Sequence, residues 1–169
     1  MLTSTATGDY NGLIGPRFID LNRFTLDYKN KLIGISKTVL PENKINGNII
    51  PMVKSEALPR LIVVEGKVNG KKVLIEIDTG KSRTVIDPEL VKELNLTEGQ
   101  RGVIISSLML GEINIEITNC KLKSFKGISK TLPQLIRIGI GSDILKEFIF
   151  TVDYSKGIVL LNKESSTKL

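Results

Sequence analysis

One acidic residue in this sequence stands where a carboxylate can be held for chemistry. Asp78 follows the alternating apolar run 73–77, and Thr79-Gly80 comes directly after it, before a second apolar pair, Val85-Ile86. Alternation with a period of two predicts a half-buried strand, and glycine permits a tight turn with its backbone close to the acid. A carboxylate at the end of a rigid strand, beside small turn residues, is a positioned reagent.

The amino-acid counts exclude several kinds of catalytic site. The chain of 169 residues contains no histidine, which removes Ser-His-Asp and Cys-His catalysis and the commonest metal ligand. The single cysteine, Cys120, has no basic partner to activate it, so we predict a buried residue at a strand end and not a nucleophile. We expect neither a cofactor nor a metal. A lone thiol fits a reducing compartment, and we expect a cytoplasmic protein.

Charge and hydropathy argue against two kinds of partner. The formal net charge is +6, but the lysines are scattered and no aromatic residues are interleaved with them, so nucleic-acid binding by a generic basic β-domain is the weakest reading. No run approaches the ~18 apolar residues of a membrane span, and the first residues lack the pattern of a signal peptide. We therefore expect no nucleic acid and no membrane among the partners.

The elements around Asp78 are predicted by local turn and cap signals. Asn69-Gly70 predicts a hairpin between strands 61–68 and 72–77, and Asp87-Pro88-Glu89 predicts the start of a helix that runs to about Leu94. Because the core residues are mostly Ile, Leu and Val, the sequence predicts a mostly β protein with two short helices. The other predicted elements are an edge strand at 49–53, a hairpin of 103–110 with 113–118, a strand at 121–125, a strand at 135–140 that leads into Gly141, and a helix capped by Ser142 that runs through Phe148.

The sequence also contains a repeat. Residues 14–35 align without a gap on residues 140–161, at an offset of 126, and both copies contain the pattern Phe-Thr-apolar-Asp-Tyr, at 24–28 and at 150–154. The pattern, followed by polar residues and a short apolar run, predicts a strand–turn–strand hairpin. We expect the two hairpins to contribute to one sheet, either between lobes or between chains, with Asp27 and Asp153 in structural roles.

Three motifs resemble one family. Asp78-Thr79-Gly80 between hydrophobic strands resembles the active-site loop of the retropepsin-like aspartic proteases, the single-lobed relatives of pepsin. Residues 140–145, Ile-Gly-Ser-Asp-Ile-Leu, resemble the family's second signature, and residues 58–72 resemble its incoming β-hairpin. The resemblance implies a retropepsin-like closed β-barrel. It divides the chain into a hairpin remnant of a preceding pepsin-like lobe (1–36), a linker (37–47), the retropepsin-like domain (48–162) and a polar tail (163–169).

The resemblance further implies an aspartic endopeptidase. In that family two carboxylates a few Å apart share one proton, so that one activates water and the other protonates the substrate carbonyl. Since this chain has one such loop, the resemblance implies a homodimer with Asp78 from each copy on a two-fold axis. The implied catalytic residues are Asp78, Thr79 and Gly80. The implied contacts to a polypeptide substrate come from Lys81, Ser82, Ile140 and Gly141.

Two departures from the family keep a second hypothesis open. Lys81 stands where the family usually has Ala or Ser, and an ammonium there favours the ionised form of Asp78. The glycine-tipped flap, expected between Leu96 and Ile113, is short. The alternative is a non-catalytic retropepsin-like domain for dimerisation or peptide binding. Asp78 would then be a strand-end acid held by turn amides. Asp143 is predicted to cap or pin its short helix.

Overall fold

A computed structural model describes residues 23–37, 47–55, 59–127, 132 and 134–163. The predicted linker, the polar tail and residues 1–22 of the predicted remnant lie wholly or largely outside these residues. The strands of the described part are β1 (Arg23–Asp27), β2 (Leu32–Ser36), β3 (Asn48–Pro51), β4 (Val63–Val68), β5 (Lys71–Ile77), β6 (Val85–Ile86), β7 (Glu98–Gly99), β8 (Gly102–Leu110), β9 (Ile113–Leu122), β10 (Ile136–Ile140), β11 (Ile149–Asp153) and β12 (Ile158–Asn162), and the helices are α1 (Pro88–Glu93) and α2 (Ser142–Leu145).

Six strands close into a barrel. Their order is β4-β5-β10-β6-β9-β8, and β8 pairs back with β4, while β7 extends the sheet beyond β8. The interior is aliphatic: Val64, Ile75, Ile105 and Ile138 are fully buried in one core cluster. The predicted architecture, mostly β with a closed barrel and two short helices, is confirmed. No helix in the part of the chain that the structure describes is long and apolar enough to cross a membrane.

The remaining strands form a second sheet, in the order β2-β1-β11-β12-β3. At its centre β1 runs antiparallel to β11, with Thr25 opposite Thr151. The two copies of the sequence repeat therefore meet in one sheet, as predicted, and they do so within a single chain. Phe150 and Val152 of β11 belong to the barrel's core cluster, so the barrel packs on one face of this sheet.

Two local predictions around the Asp78 strand are confirmed. Asn69 and Gly70 both have positive φ (46° and 86°), and Val68 pairs with Lys71, which is the geometry of a tight primed turn. Helix α1 begins at Pro88, and the side chain of the N-cap residue Asp87 accepts a hydrogen bond from the backbone N of Glu89.

The separate strand predicted at 121–125 is wrong. Strand β9 continues to Leu122, because its last residues leave β8 and pair with the parallel strand β6: Val85 lies opposite Lys121 and Ile86 opposite Leu122. The prediction ended β9 early since the partner that extends it is distant in sequence.

The predicted cap of the second helix is also wrong. Ser142 is the first residue of α2, the N-cap position is Gly141, and no side chain caps the helix. The backbone N of Ser142 instead donates to the carbonyl oxygen of Lys81 at 2.7 Å. The Asp78 loop therefore fixes this turn, and the helix ends at Leu145, not at Phe148.

Candidate active site

Neighbouring parallel strands bring two loops together at one end of the barrel. Strands β5 and β10 run parallel with Ile77 opposite Ile140, so Asp78 and Gly141 follow the ends of adjacent strands. The backbone N of Asp78 donates to the carbonyl oxygen of Ile140 at 3.0 Å. The two motifs that resemble the family's signatures are thus bonded to each other, although they are far apart in the sequence.

Both oxygens of the Asp78 carboxylate are engaged. Oδ1 accepts a hydrogen bond from the backbone N of Gly80 at 2.9 Å, and Oδ2 accepts one from Nζ of Lys81 at 2.7 Å. The backbone N of Lys81 also donates to the carbonyl oxygen of Asp78, which closes the turn. The Asp78 side chain is still 38% exposed. The carboxylate is therefore anchored by its own loop while one side of it remains open.

Lys81 does not turn toward solvent but bridges two carboxylates. Its Nζ lies 2.5 Å from Oε2 of Glu76 as well as 2.7 Å from Oδ2 of Asp78. Burial lowers the pKa of Lys81, but hydrogen bonds to Asp78 and Glu76, together with their negative charges, outweigh burial and raise that pKa overall. The ammonium is thus held in its charged form beside Asp78.

Glu76 is a residue of the site that the sequence reasoning missed. It lies within the alternating strand β5, and its side chain is only 6% exposed. A second apolar cluster, which includes Leu74 and Phe125, covers the outer face of β5, so both faces of the strand are buried. A buried carboxylate requires a partner. The lysine five residues later was the available signal.

A second buried cluster joins the loop to helix α2. Thr84 is fully buried, and its backbone N and its hydroxyl donate to the two oxygens of Asp143 at 2.9 and 2.7 Å. The Thr84 hydroxyl accepts a hydrogen bond from the backbone N of Gly141 at 3.2 Å. Asp143 also accepts from the backbone N of Ile144, so it pins its helix as predicted. Sequence reasoning did not identify Thr84.

Gly141 is required by close backbone packing. A Cβ atom at this position would lie 2.8 Å from the carbonyl oxygen of Lys81 and 2.8 Å from the carbonyl carbon of Arg83. No side chain fits at such distances without moving backbone. The glycine therefore allows the turn after β10 to lie directly on the Asp78 loop.

The other predicted site residues differ in exposure. Thr79, Gly80 and Ser82 are exposed on the loop, Lys81 is partly buried, and the side chain of Ile140 is fully buried in the core. Ile140 meets the site through its backbone carbonyl. Its predicted contact to substrate, like those of Lys81, Ser82 and Gly141, stays a prediction.

A short hairpin occupies the interval where a flap was expected. Strand β7 has two residues, and Glu98 pairs with Val103 while Gly99 pairs with Gly102. The hairpin is therefore as short as the sequence indicated.

Other chemistry has little support in the described part of the chain. Cys120 is fully buried, and burial, with a smaller contribution from the charge of Asp143, raises the pKa of its thiol to about 12. Such a thiol is not a nucleophile at neutral pH. The described residues contain no group of three or more His, Cys, Asp and Glu side chains that could hold a metal ion.

One comparison with protein families agrees with this fold. A family model described as aspartyl protease matches residues 64–127, a span that includes Asp78-Thr79-Gly80. With the closed barrel, this match identifies a retropepsin-like fold, as the sequence motifs predicted. No curated protein sequence matches the chain.

Several solved structures are similar to this chain. A retropepsin-like aspartic protease from Rickettsia conorii is 19% identical, with a TM-score of 0.44 over 70% of this chain and 90% of that one. The retroviral protease-like domain of Ddi1 from Leishmania major is 14% identical, with a TM-score of 0.40 over 64% of this chain and 96% of that one. An aspartic proteinase from Irpex lacteus is 12% identical, with a TM-score of 0.49 over 87% of this chain and 57% of that one.

Proposed function

We propose that this protein is an aspartic endopeptidase that hydrolyses peptide bonds with a water molecule activated by two carboxylates. The observation that carries the proposal is the position of Asp78. It ends a barrel strand, its loop is bonded to the Gly141 turn, and its carboxylate is partly open to solvent. The aspartyl protease match over residues 64–127 supports the same reaction class.

The proposed reaction needs a second carboxylate, which a homodimer supplies. Asp78 of each copy lies on a two-fold axis, and the pair shares one proton because both carboxylates cannot ionise a few Å apart. The ionised one takes a proton from water as its oxygen adds to the substrate carbonyl carbon, and the protonated one donates to the carbonyl oxygen. The C–N bond then breaks as a proton passes to the leaving nitrogen.

The neighbouring loop residues have positioning roles in this proposal. Thr79, exposed beside Asp78, bonds the partner's loop across the axis, and Gly80 leaves room for water and substrate. The substrate is an extended polypeptide held by strand-like pairing near Lys81, Ser82 and Gly141, with Ile140 supporting that turn from the core. Strand β7 of the β7–β8 hairpin has only two residues, and a hairpin this short favours unfolded segments as substrates.

One observation favours a second candidate, a retropepsin-like dimerisation or peptide-binding domain without turnover. Lys81 already donates to Asp78, and Glu76 holds that ammonium in place from a buried position. A fixed positive charge at this distance stabilises the ionised carboxylate and opposes a shared proton. Turnover requires that Lys81 release Asp78 when the second carboxylate approaches.

The test is cleavage of an unfolded protein between about pH 3 and 6, the range in which carboxylate pairs share a proton. The proposal expects cleavage that is blocked by a statine-type transition-state mimic and abolished by Asp78→Asn. The matched control is Glu116→Gln, which neutralises an exposed acid on β9, away from the Asp78 loop. If a sample that light scattering identifies as dimeric does not cleave, the binding domain is the better description.

A further inference from the structure

The Lys81 ammonium is held unequally by its two carboxylates. Its Nζ lies 2.5 Å from Oε2 of Glu76 and 2.7 Å from Oδ2 of Asp78, but the Glu76 side chain is 6% exposed and the Asp78 side chain 38% exposed. Water can pair with the exposed carboxylate, whereas the buried one is left unpaired if the ammonium moves away. Lys81 is therefore fixed at Glu76 and exchangeable at Asp78.

The other contacts of the two carboxylates differ in the same sense. Asp78 also accepts a hydrogen bond from the backbone N of Gly80 at 2.9 Å. Within the described part of the chain, Lys81 is the only group that donates to the Glu76 side chain. Oε2 of Glu76 lies against β10, where it would be 3.3 Å from a Cβ atom at Gly139, and the other side chains beside that glycine are apolar. These neighbours cannot replace the ammonium as a partner of Glu76.

The ammonium also has a donor to spare. A lysine ammonium has three N–H donors, of which Glu76 and Asp78 accept two, and no residue that the structure describes accepts the third. Burial lowers the pKa of Lys81, but its hydrogen bonds to Asp78 and Glu76 and their negative charges raise that pKa overall, so the ammonium keeps its protons at neutral and acid pH. Lys81 is thus a cation with an unused donor beside Asp78.

The proposed reaction develops a negative charge at this place. As the water oxygen adds to the carbonyl carbon and Asp78 takes the water's proton, the C=O electron pair moves onto the carbonyl oxygen. Because Nζ lies within hydrogen-bond distance of Oδ2, a substrate carbonyl that is bound at Asp78 lies beside the ammonium. Donors that are fixed before such a charge develops stabilise the transition state, and removal of one typically slows catalysis by about 10²–10³-fold.

We propose that Lys81 is a further catalytic residue, whose ammonium stays on Glu76, leaves Asp78 as the second carboxylate approaches, and donates a hydrogen bond to the carbonyl oxygen of the substrate. No proton leaves Lys81, since the oxygen takes its proton from the partner subunit's Asp78. Glu76 is the positioning residue that holds the ammonium and balances its charge. This inference rests on the proposed function for Asp78 as the base, and it gives the unusual lysine a part in turnover.

Two peptides that differ in charge at one centre test this role by binding alone. The first is the statine-type peptide, whose tetrahedral carbon bears a neutral hydroxyl. The second is its phosphinate analogue, in which a tetrahedral phosphorus with a negatively charged oxygen replaces that carbon and its hydroxyl. Both are titrated calorimetrically into the full chain at one pH. Mimics of the transition state bind without being turned over, so the result does not depend on cleavage.

The decisive variant removes the ammonium. Lys81→Met should weaken phosphinate binding by about 100-fold, the usual effect of removing one donor to an oxyanion, and binding of the hydroxyl peptide by less than about threefold. The matched control is Lys72→Met, which removes from the same strand an exposed lysine that pairs with Glu65, and it should change neither affinity. If Lys81→Met does not fold, Glu76→Met with Lys81→Met takes its place, because it lacks the ammonium and leaves no buried charge unpaired.

The inference is overturned if the variants without the ammonium bind the phosphinate as well as the wild type does, or lose both peptides to the same extent. It is also overturned if neither peptide binds the wild type. Cleavage of an unfolded protein with unchanged phosphinate affinity in those variants would reject the role of Lys81 and keep the endopeptidase. Selective loss of the phosphinate without any cleavage would reject the endopeptidase and keep Lys81 as the residue that recognises a tetrahedral anion.

Discussion

The bridge from Lys81 to Glu76 gives a quantitative prediction about stability. The Glu76 side chain is 6% exposed and the Lys81 side chain 15% exposed, so both charges are largely removed from water. Removal of one partner of a buried pair leaves the other charge uncompensated and costs several kcal/mol, whereas replacement of both by apolar residues of similar volume is often neutral. Methionine is unbranched, like glutamate and lysine, and at position 76 it would have apolar neighbours, because Val85 and Phe125 lie beside the same glycine, Gly139, as the Glu76 carboxylate.

We expect Lys81→Met to lower the free energy of unfolding by about 3 kcal/mol and the double variant with Glu76→Met to lie within about 1 kcal/mol of the wild type. With a urea slope of about 2 kcal/mol per M, the single variant shifts the unfolding midpoint down by ~1.5 M. The chain has no tryptophan, so far-UV circular dichroism of the sheet is the suitable probe.

A neutral side chain of the same size supplies the internal control for this experiment. Glu76→Gln removes the uncompensated charge at nearly constant volume, so the stability deficit of Lys81→Met must shrink when Glu76→Gln is added. If the single and double variants lose the same stability at neutral pH, Lys81 contributes through packing, and the reasoning about its charge is refuted.

Three further predictions concern the pKa of Lys81, the Asp143 cluster and the Lys31 turn. The pKa of Lys81 is raised above 10.5, so the stabilisation that its charged form gives to the folded state is fully present below pH 10.5 and is lost as the pH rises through the folded-state pKa. Urea unfolding at alkaline pH should show this loss in the wild type and not in Lys81→Met. Asp143→Ala leaves two buried donors of Thr84 without an acceptor and should lower the unfolding free energy by about 2–3 kcal/mol, with Asp143→Asn less affected. A loss under 0.5 kcal/mol, roughly the noise for a surface change, would contradict this. Lys31 has a φ of 56° where its repeat equivalent, Gly157, has 65°. Lys31→Gly should therefore stabilise by about 1 kcal/mol and Gly157→Lys destabilise by a similar amount, and equal signs in urea melts would exclude left-handed strain as the cause.

What the sequence predicted well depends on neighbours in the chain. The Asn69-Gly70 turn and the Asp87 cap are determined by adjacent residues, and the structure has both. The Asp78 loop was found for a similar reason, because a strand, an acid and a glycine are consecutive. The sequence repeat predicted the shared sheet, because two hairpins with the same strand pattern can pair through equivalent strands.

What the sequence did not predict depends on distant partners. Strand β9 extends past Thr118 because β6 lies beside it, and no local pattern signals a parallel neighbour. Glu76 is buried because a second apolar cluster covers the outer face of β5. Thr84 acts through Asp143, which lies 59 residues away in the sequence. Sequence periodicity therefore does not predict the burial or the partners of side chains whose partners are distant in the sequence.

The parallel pairing of β5 with β10 has a consequence for synthesis of the protein. Ile77 meets Ile140 only after the intervening chain has been made, and the barrel also requires the pairing of Val68 with Leu108. Topologies dominated by such non-local pairs fold slowly, in milliseconds to seconds. The nascent chain on a ribosome therefore carries an Asp78 loop that lacks its hydrogen bonds to Ile140 and Ser142 until that segment has left the exit tunnel. Any hydrolytic competence must arise after translation of the barrel is complete.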